Sequence, residues 1–179
     1  TRMVQKLLRE NALDLGLTEG FVEAPDLTAD VFSEDEIIAI IAAGHPLAKE
    51  ESVPFSSLQH VPLLMREKGS GTREVVERVL LKKGVSLLPA MTLGQTEAIK
   101  RAVEAGNGWA FVSRLAVESE LATGRLGTIS LTGWSVYRPF HRLKLQGKYE
   151  GRAVREFLRT LETICTVEKS TTENDTFNG

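Results

Sequence analysis

Cysteine is nearly missing from this chain. Cys165 is the only one, which excludes an intrachain disulfide and a multi-cysteine zinc site. It falls on the apolar face of the last predicted helix and reads as a buried structural thiol. Histidine is almost as scarce: positions 45, 60 and 141 share no metal-ligand spacing. Gly-x-Ser-x-Gly does not occur, and no serine-histidine-acid set surrounds a nucleophile elbow. The sequence therefore offers no catalytic residue, no metal ligand and no cofactor motif. It also has no apolar run of membrane-spanning length and no signal-peptide pattern. Positive charge is not in excess, with 22 Lys and Arg against 24 Asp and Glu and a net charge of −2. Direct binding of nucleic acid by this stretch is not expected. What is present is a globular composition, 42% hydrophobic and 26% charged, over a length that suits one ordinary domain or two small ones. A reducing, cytoplasmic setting fits these features.

Strand-like and helix-like segments alternate, the pattern of an α/β architecture. Thr1 to Arg9 reads as a helix with Val4, Leu7 and Leu8 on one face, ended by Asn11 in a left-handed conformation. The chain thus starts inside a helix without an initiator methionine, and reads as a fragment whose native start lies upstream. Ala12 to Thr18 predicts a short strand. Ile37-Ile38-Ala39-Ile40-Ile41 is an unbroken apolar run, as in a strand buried on both faces, and Gly44-His45-Pro46 breaks it. Phe55 to Leu58 reads as a helical turn and Val61 to Met65 as a strand. The helix after Gly71 carries Val75, Val76, Val79 and Leu80 on one stripe, with Glu74 and Arg78 spaced as a supporting pair.

Further strands are expected at Ala90 to Leu93, Trp109 to Val112, Thr128 to Leu131 and Tyr137 to Leu145. Helices are expected over Thr96 to Ala105, from a Ser113 cap to Ala122, and from Glu150 onward with Ala153, Val154, Phe157, Leu158, Leu161, Ile164 and Cys165 inward. Ser170 to Gly179 reads as a disordered tail. The breaks at Gly44-His45-Pro46 and Arg138-Pro139 are candidate crossings between two lobes.

The most informative stretch is Gly69-Ser70-Gly71-Thr72-Arg73-Glu74. Glycine lets the chain approach a ligand closely. A helix start leaves its first amides unpaired, and the helix dipole favours negative charge there. Ser70, Thr72 and the amides around them suit a small anion without a lysine. Ser70 is equally suited to capping the helix. The stretch is not a nucleotide phosphate loop, because no Gly-Lys-Ser/Thr follows.

Five segments, in order, resemble the effector-binding region of LysR-type transcriptional regulators. They are Ala12-Leu13-Asp14-Leu15-Gly16-Leu17, Gly44-His45-Pro46-Leu47-Ala48, Gly69-Ser70-Gly71-Thr72-Arg73, Gly94-Gln95-Thr96-Glu97-Ala98-Ile99-Lys100 and Ala105-Gly106-Asn107-Gly108-Trp109-Ala110. The resemblance covers Thr1 to about Val167. It implies two Rossmann-like lobes of the periplasmic-binding-protein type II kind, joined by two crossover strands. The outer lobe is assigned to 1–44 and 136–169, the inner lobe to 45–135, and the tail to 170–179. The family's first outer strand and helix have no counterpart, so the outer lobe is expected to be incomplete, with an open sheet edge.

By the same resemblance an effector sits between the lobes. Gly69, Ser70, Gly71 and Thr72 match the anion-gripping loop. Thr18 falls where related regulators place a ligand-contacting hydroxyl, and Thr1 matches a threonine that caps a helix and faces the cleft. Gln95 stands where serine is commoner. The partners implied are a small anionic effector, a second copy in a homodimer (a tetramer being open to the full-length protein), and DNA only through a winged helix-turn-helix absent from this chain. No membrane contact is implied.

Other residues have plainer readings. His45 serves a turn before Pro46, and Glu19 is a rim carboxylate. Trp109 is core and Trp134 borders the cleft. Lys82, Lys83, Lys100 and Arg101 are solvated helix faces. A ligand-sensing module of a transcription regulator, doing no chemistry, accounts for the motif order. A periplasmic-type solute-binding protein for a small anion is the alternative, and an enzyme on the same fold would need an acid–base pair the sequence does not offer.

Overall fold

The computed structural model describes residues 2–19, 22 and 24–175, with side chains to 165. The chain forms two compact units, Asp35–Arg138 and the pair Thr1–Glu34 with Pro139–Gly179. The first limit therefore lies upstream of the Gly44-His45-Pro46 break, and the second follows Arg138. The reason is β2, Leu27–Ala42. It starts well before the predicted apolar run, and that run pairs inside the unit Asp35–Arg138.

In unit 35–138, β3 (Leu63–Arg66) lies between β4 (Met91–Leu93) and β5 (Trp109–Ser113), parallel to both. β2 pairs antiparallel with β5 on one side and with β6 (Leu126–Ile129) on the other. Alternation along β2 divides the core. Ile37, Ala39 and Ile41 pack with Val75, Val76 and Leu80 of α2 (Gly71–Lys82). Ile38 and Ile40 pack with Ile99 and Val103 of α3 (Thr96–Glu104). A two-residue period sends successive side chains to opposite faces, so α2 and α3 cover opposite faces of a doubly wound sheet. The strand order turns back at β3, which has β4 on one side and β5 on the other. In open α/β sheets ligands collect at the carboxyl ends of strands around such a reversal.

Two glycines are required by geometry. Gly69 has φ +91 in the loop after β3. At Gly108 an added Cβ would lie 2.0 Å from the Pro62 carbonyl oxygen, so only glycine lets β5 enter beside β3. Trp109 follows, fully buried, with Nε1 donating to the Val61 carbonyl at 3.2 Å. Trp134, predicted to border a cleft, is held by Nε1 donating to the Ile37 carbonyl at 2.8 Å. Its ring lies 4.4 Å from that of Phe111 and packs on the α2-side core. A 3-10 turn at Leu115–Val117 leads into α4, Glu118–Ala122. The expected helix from Ser113 is thus split, although Ser113 Oγ still accepts from the Ala116 amide at 3.4 Å.

In the other unit, α1 (Arg2–Arg9) precedes β1 (Gly16–Glu19), and Asn11 has φ 57, the expected left-handed stop. β1 pairs antiparallel with β7 (Tyr137–Leu145). Among the described residues β1 has no other strand neighbour, which is the open edge expected. Leu8, Leu27 and Leu143 form a small core. The last helix, α5, runs Arg152–Asp175 and so continues past Ser170, where a disordered tail was predicted. Extending a formed helix fixes one residue per added hydrogen bond, a far smaller demand than starting one. Residues 176–179 lie outside the described residues. Phe157 and Ile164, predicted inward, are exposed, and Cys165 is half-buried rather than buried.

Candidate functional site

The loop between β3 and α2 is built from its own residues. The Ser70 amide donates to the Glu67 carbonyl at 3.2 Å, closing a turn whose third residue is Gly69. A positive φ at that position is the requirement of a type II turn. Ser70 then takes the extended conformation of an N-cap, and its carbonyl accepts from the Glu74 amide at 2.9 Å. The residue is 93% buried, yet its side chain makes no capping hydrogen bond. The two sequence readings of Ser70 thus part here: position of a cap, hydroxyl not used as one. The first amides of α2 have no helical acceptor to bond.

Charged groups brace the loop. Arg73 turns back so that Nη1 donates to the Arg66 carbonyl at 2.9 Å and Nε to Glu77 at 2.6 Å. Arg66, at the end of β3, holds both carboxylate oxygens of Glu67 at 2.9 Å and donates through Nη1 to Thr96 Oγ1 at 2.9 Å. Those hydrogen bonds hold the Glu67 carboxyl below the usual carboxylate range. Arg66 therefore ties the end of β3 to the start of α3.

Beneath the first turn of α2 lies a buried network. Thr72 Oγ1 accepts from Arg138 Nη1 at 3.2 Å. Arg138, 4% exposed, donates Nε to Asp35 Oδ2 at 2.7 Å, and its Nη2 lies 2.7 Å from the same oxygen in an ion pair. The Asp35 side chain is fully buried, and its other oxygen accepts from Ser113 Oγ at 3.0 Å. Four elements (β2, β5, β7 and α2) thus meet in one hydrogen-bonded set. Sequence reading missed Asp35, Arg138 and this role of Ser113. Asp35 stands in the acidic run Glu34-Asp35-Glu36, and its partner lies 103 positions along the chain. No local signal finds such a pair.

The predicted site residues fall as follows. Gly69, Ser70, Gly71 and Thr72 form one continuous loop and helix start. Gln95 is the exposed N-cap of α3, without a side-chain capping bond. Its neighbour Thr96 is the residue bound to Arg66. Thr18, on β1 of the other unit, is buried with Oγ1 unpartnered among the described residues. It lies directly opposite His141, whose Nδ1 is likewise unpartnered. Thr1 lies outside the described residues. His45 Nδ1 accepts from the Leu47 amide at 3.2 Å, the turn role expected of it. Lys100 corrects the sequence reading. It is buried, with Nζ 2.8 Å from Glu97 and 2.9 Å from Glu120, because an acid on α4 faces the α3 side that was taken as solvent. No group of three or more His, Cys, Asp or Glu among the described residues is arranged to hold a metal ion. Chemically, the Ser70–Thr72 segment offers amides and hydroxyls, a set suited to holding an oxyanion.

Residues 1–165 match the family model described as the LysR substrate binding domain. The chain is 33% identical over 155 residues to the HTH-type transcriptional regulator YeiE of Escherichia coli, covering 87% of this chain and 53% of that protein. It is 32% identical over 143 residues to a RuBisCO operon transcriptional regulator of Allochromatium vinosum, covering 80% and 47%. The chain thus spans about half the length of these curated relatives. Among solved structures, the Synechocystis CcmR regulatory domain in complex with 2-PG matches with a TM-score of 0.81 and 28% identity, over 91% of this chain and 78% of that one. The effector-binding domain of QuiR in complex with shikimate matches with a TM-score of 0.77 and 18% identity, over 93% and 78%, a likeness of fold.

Proposed function

Since the chain belongs to the LysR substrate-binding-domain family, we propose that it senses a small anionic metabolite for a bacterial transcription regulator. The anion's charged group is held by the Ser70 and Thr72 hydroxyls and the first amides of α2. The observation that carries this reading is Ser70: a buried N-cap serine whose hydroxyl is not used to cap the helix. The bracing by Arg66, Arg73 and Arg138 supports it, because a preformed donor set binds without an ordering cost. Solved relatives held with 2-PG and with shikimate suggest the size class of the effector.

The domain acts by favouring one arrangement of the whole regulator over another, since a ligand can shift an equilibrium only by its differential affinity. A DNA-binding segment beyond this chain carries the response, in the cytoplasm. Thr18 and Gln95 are secondary candidates for effector contact, as is Thr1. The loop's donor set fits holding an anion rather than transforming it, and family membership favours this reading over a transport solute-binding protein.

A thermal-shift screen against sulfate, inorganic phosphate, 2-PG and small carboxylates tests the proposal. A ligand at a hundred times its dissociation constant adds about 2.7 kcal/mol of stability. The Thr72→Val variant is expected to lose about 1.5–3 kcal/mol of binding, the range for a hydrogen bond to a charged group. Equal shifts in wild type and variant would move the site elsewhere.

A further inference from the structure

Building on that anion-site reading, we infer that Arg138 is a positioning residue that aims the Thr72 hydroxyl hydrogen at the bound anion. A guanidinium carries only donors. In the 3.2 Å contact with Arg138 Nη1, Thr72 Oγ1 is therefore the acceptor, and its own hydrogen points away from Arg138. A threonine inside a helix commonly gives that hydrogen to the carbonyl one turn earlier. Thr72 is the second residue of α2, and the residues one turn before it precede the helix. The hydrogen is left to an acceptor outside the helix.

Arg138 is itself fixed. Two of its nitrogens share Asp35 Oδ2 at 2.7 Å, and Ser113 holds the other Asp35 oxygen at 3.0 Å. The ion pair is neutral overall, so Arg138 acts on the anion through Thr72 more than through its own charge. The arrangement also sets selectivity. An oxyanion accepts the hydrogen offered, whereas an ammonium group meets a hydroxyl hydrogen backed by a guanidinium and is rejected.

A double-mutant cycle measured by calorimetry on the full chain, with inorganic phosphate and then sulfate as titrants, tests this. Because Arg138→Met alone would strand a buried carboxylate, the charge-balanced Asp35→Asn/Arg138→Met variant is used, together with Thr72→Val and the combination of all three. The expected result is about a tenfold loss of affinity in Asp35→Asn/Arg138→Met, with little further loss when Thr72→Val is added, since coupled residues are not additive. Unchanged affinity in Asp35→Asn/Arg138→Met beside a weakened Thr72→Val would overturn the positioning role and leave the anion site standing. Fully additive losses would also overturn it, because Arg138 would then act independently of Thr72. No binding of either anion by the wild-type chain would remove the site and this role together. Should the charge-balanced variant fail to fold, Arg138→Lys keeps the charge beside Asp35 and loses the fork that also reaches Thr72. The same loss and the same non-additivity are expected of it.

Discussion

Lys100 lies on α3 where the sequence places solvent, and its ammonium sits between Glu97 and Glu120. Burial works against its charge, but the two carboxylates outweigh that and raise its pKa above the lysine range. The Lys100 hydrogen bond lowers that of Glu120, against some desolvation. A lowered glutamate stabilises the fold above its ordinary value and ceases to as pH falls through the folded one. A raised lysine stabilises below its ordinary value and ceases to as pH rises through the folded one. Lys100→Met is therefore expected to cost about 2 kcal/mol near neutral pH, less than a fully isolated buried pair because Arg125 also faces Glu120 at 3.6 Å. Urea unfolding should show the gap between wild type and variant closing in acid, below the ordinary glutamate pKa of 4.5. A gap independent of pH would assign the loss to packing alone. Ser70 and Thr72 can be proposed from the sequence because they and their neighbours along the chain form one loop and helix start. Asp35 and Arg138 cannot, because 103 positions separate them.

At the scale of elements, β3, α2, β4, α3, β5 and β7 were legible from apolar period and glycine punctuation, within a residue or two at most ends. β2 was found only over its apolar half. Its first half, Leu27 to Glu34, alternates weakly, and β-pairing is decided by distant neighbours rather than by local pattern. α5 was overread for the opposite reason: a clear helical stripe shows what a helix can bury, not that a neighbour covers it. The turn before β5 offers a direct test. Gly108→Ala sets a Cβ against the Pro62 carbonyl and is expected to destabilise by about 3 kcal/mol or more, combining backbone strain with overpacking. Gly106→Ala, where an added Cβ meets nothing within 4 Å, keeps only the cost of its positive φ, about 1–2 kcal/mol. Equal losses in the two would show that the Pro62 contact is not what selects glycine at 108.

The whole chain carries two units, a number the sequence draws from its Pro-bearing breaks and from a family resemblance. The second limit falls at the Arg138-Pro139 break that the sequence marks, whereas the first falls inside β2, ahead of Gly44-His45-Pro46. The resemblance implies a second copy in a homodimer, and we propose that α1 and α2 carry that surface. Leu81 on α2 is 80% exposed and Met3 on α1 is 66% exposed. Leu81→Lys should lower the mass seen by light scattering toward one chain while leaving the melting temperature of the monomer nearly unchanged. A dimer that survives the change would place the interface on other residues.

An anion resting on the first turn of α2 is reported by the amide resonances of that turn. Titrating the nitrogen-15-labelled chain with inorganic phosphate should move the signals of Gly69 to Arg73 most, to a common saturation, and Thr72→Val should weaken that midpoint about tenfold or more. Shifts concentrated elsewhere, or none at these residues while the chain stays folded, would contradict the account.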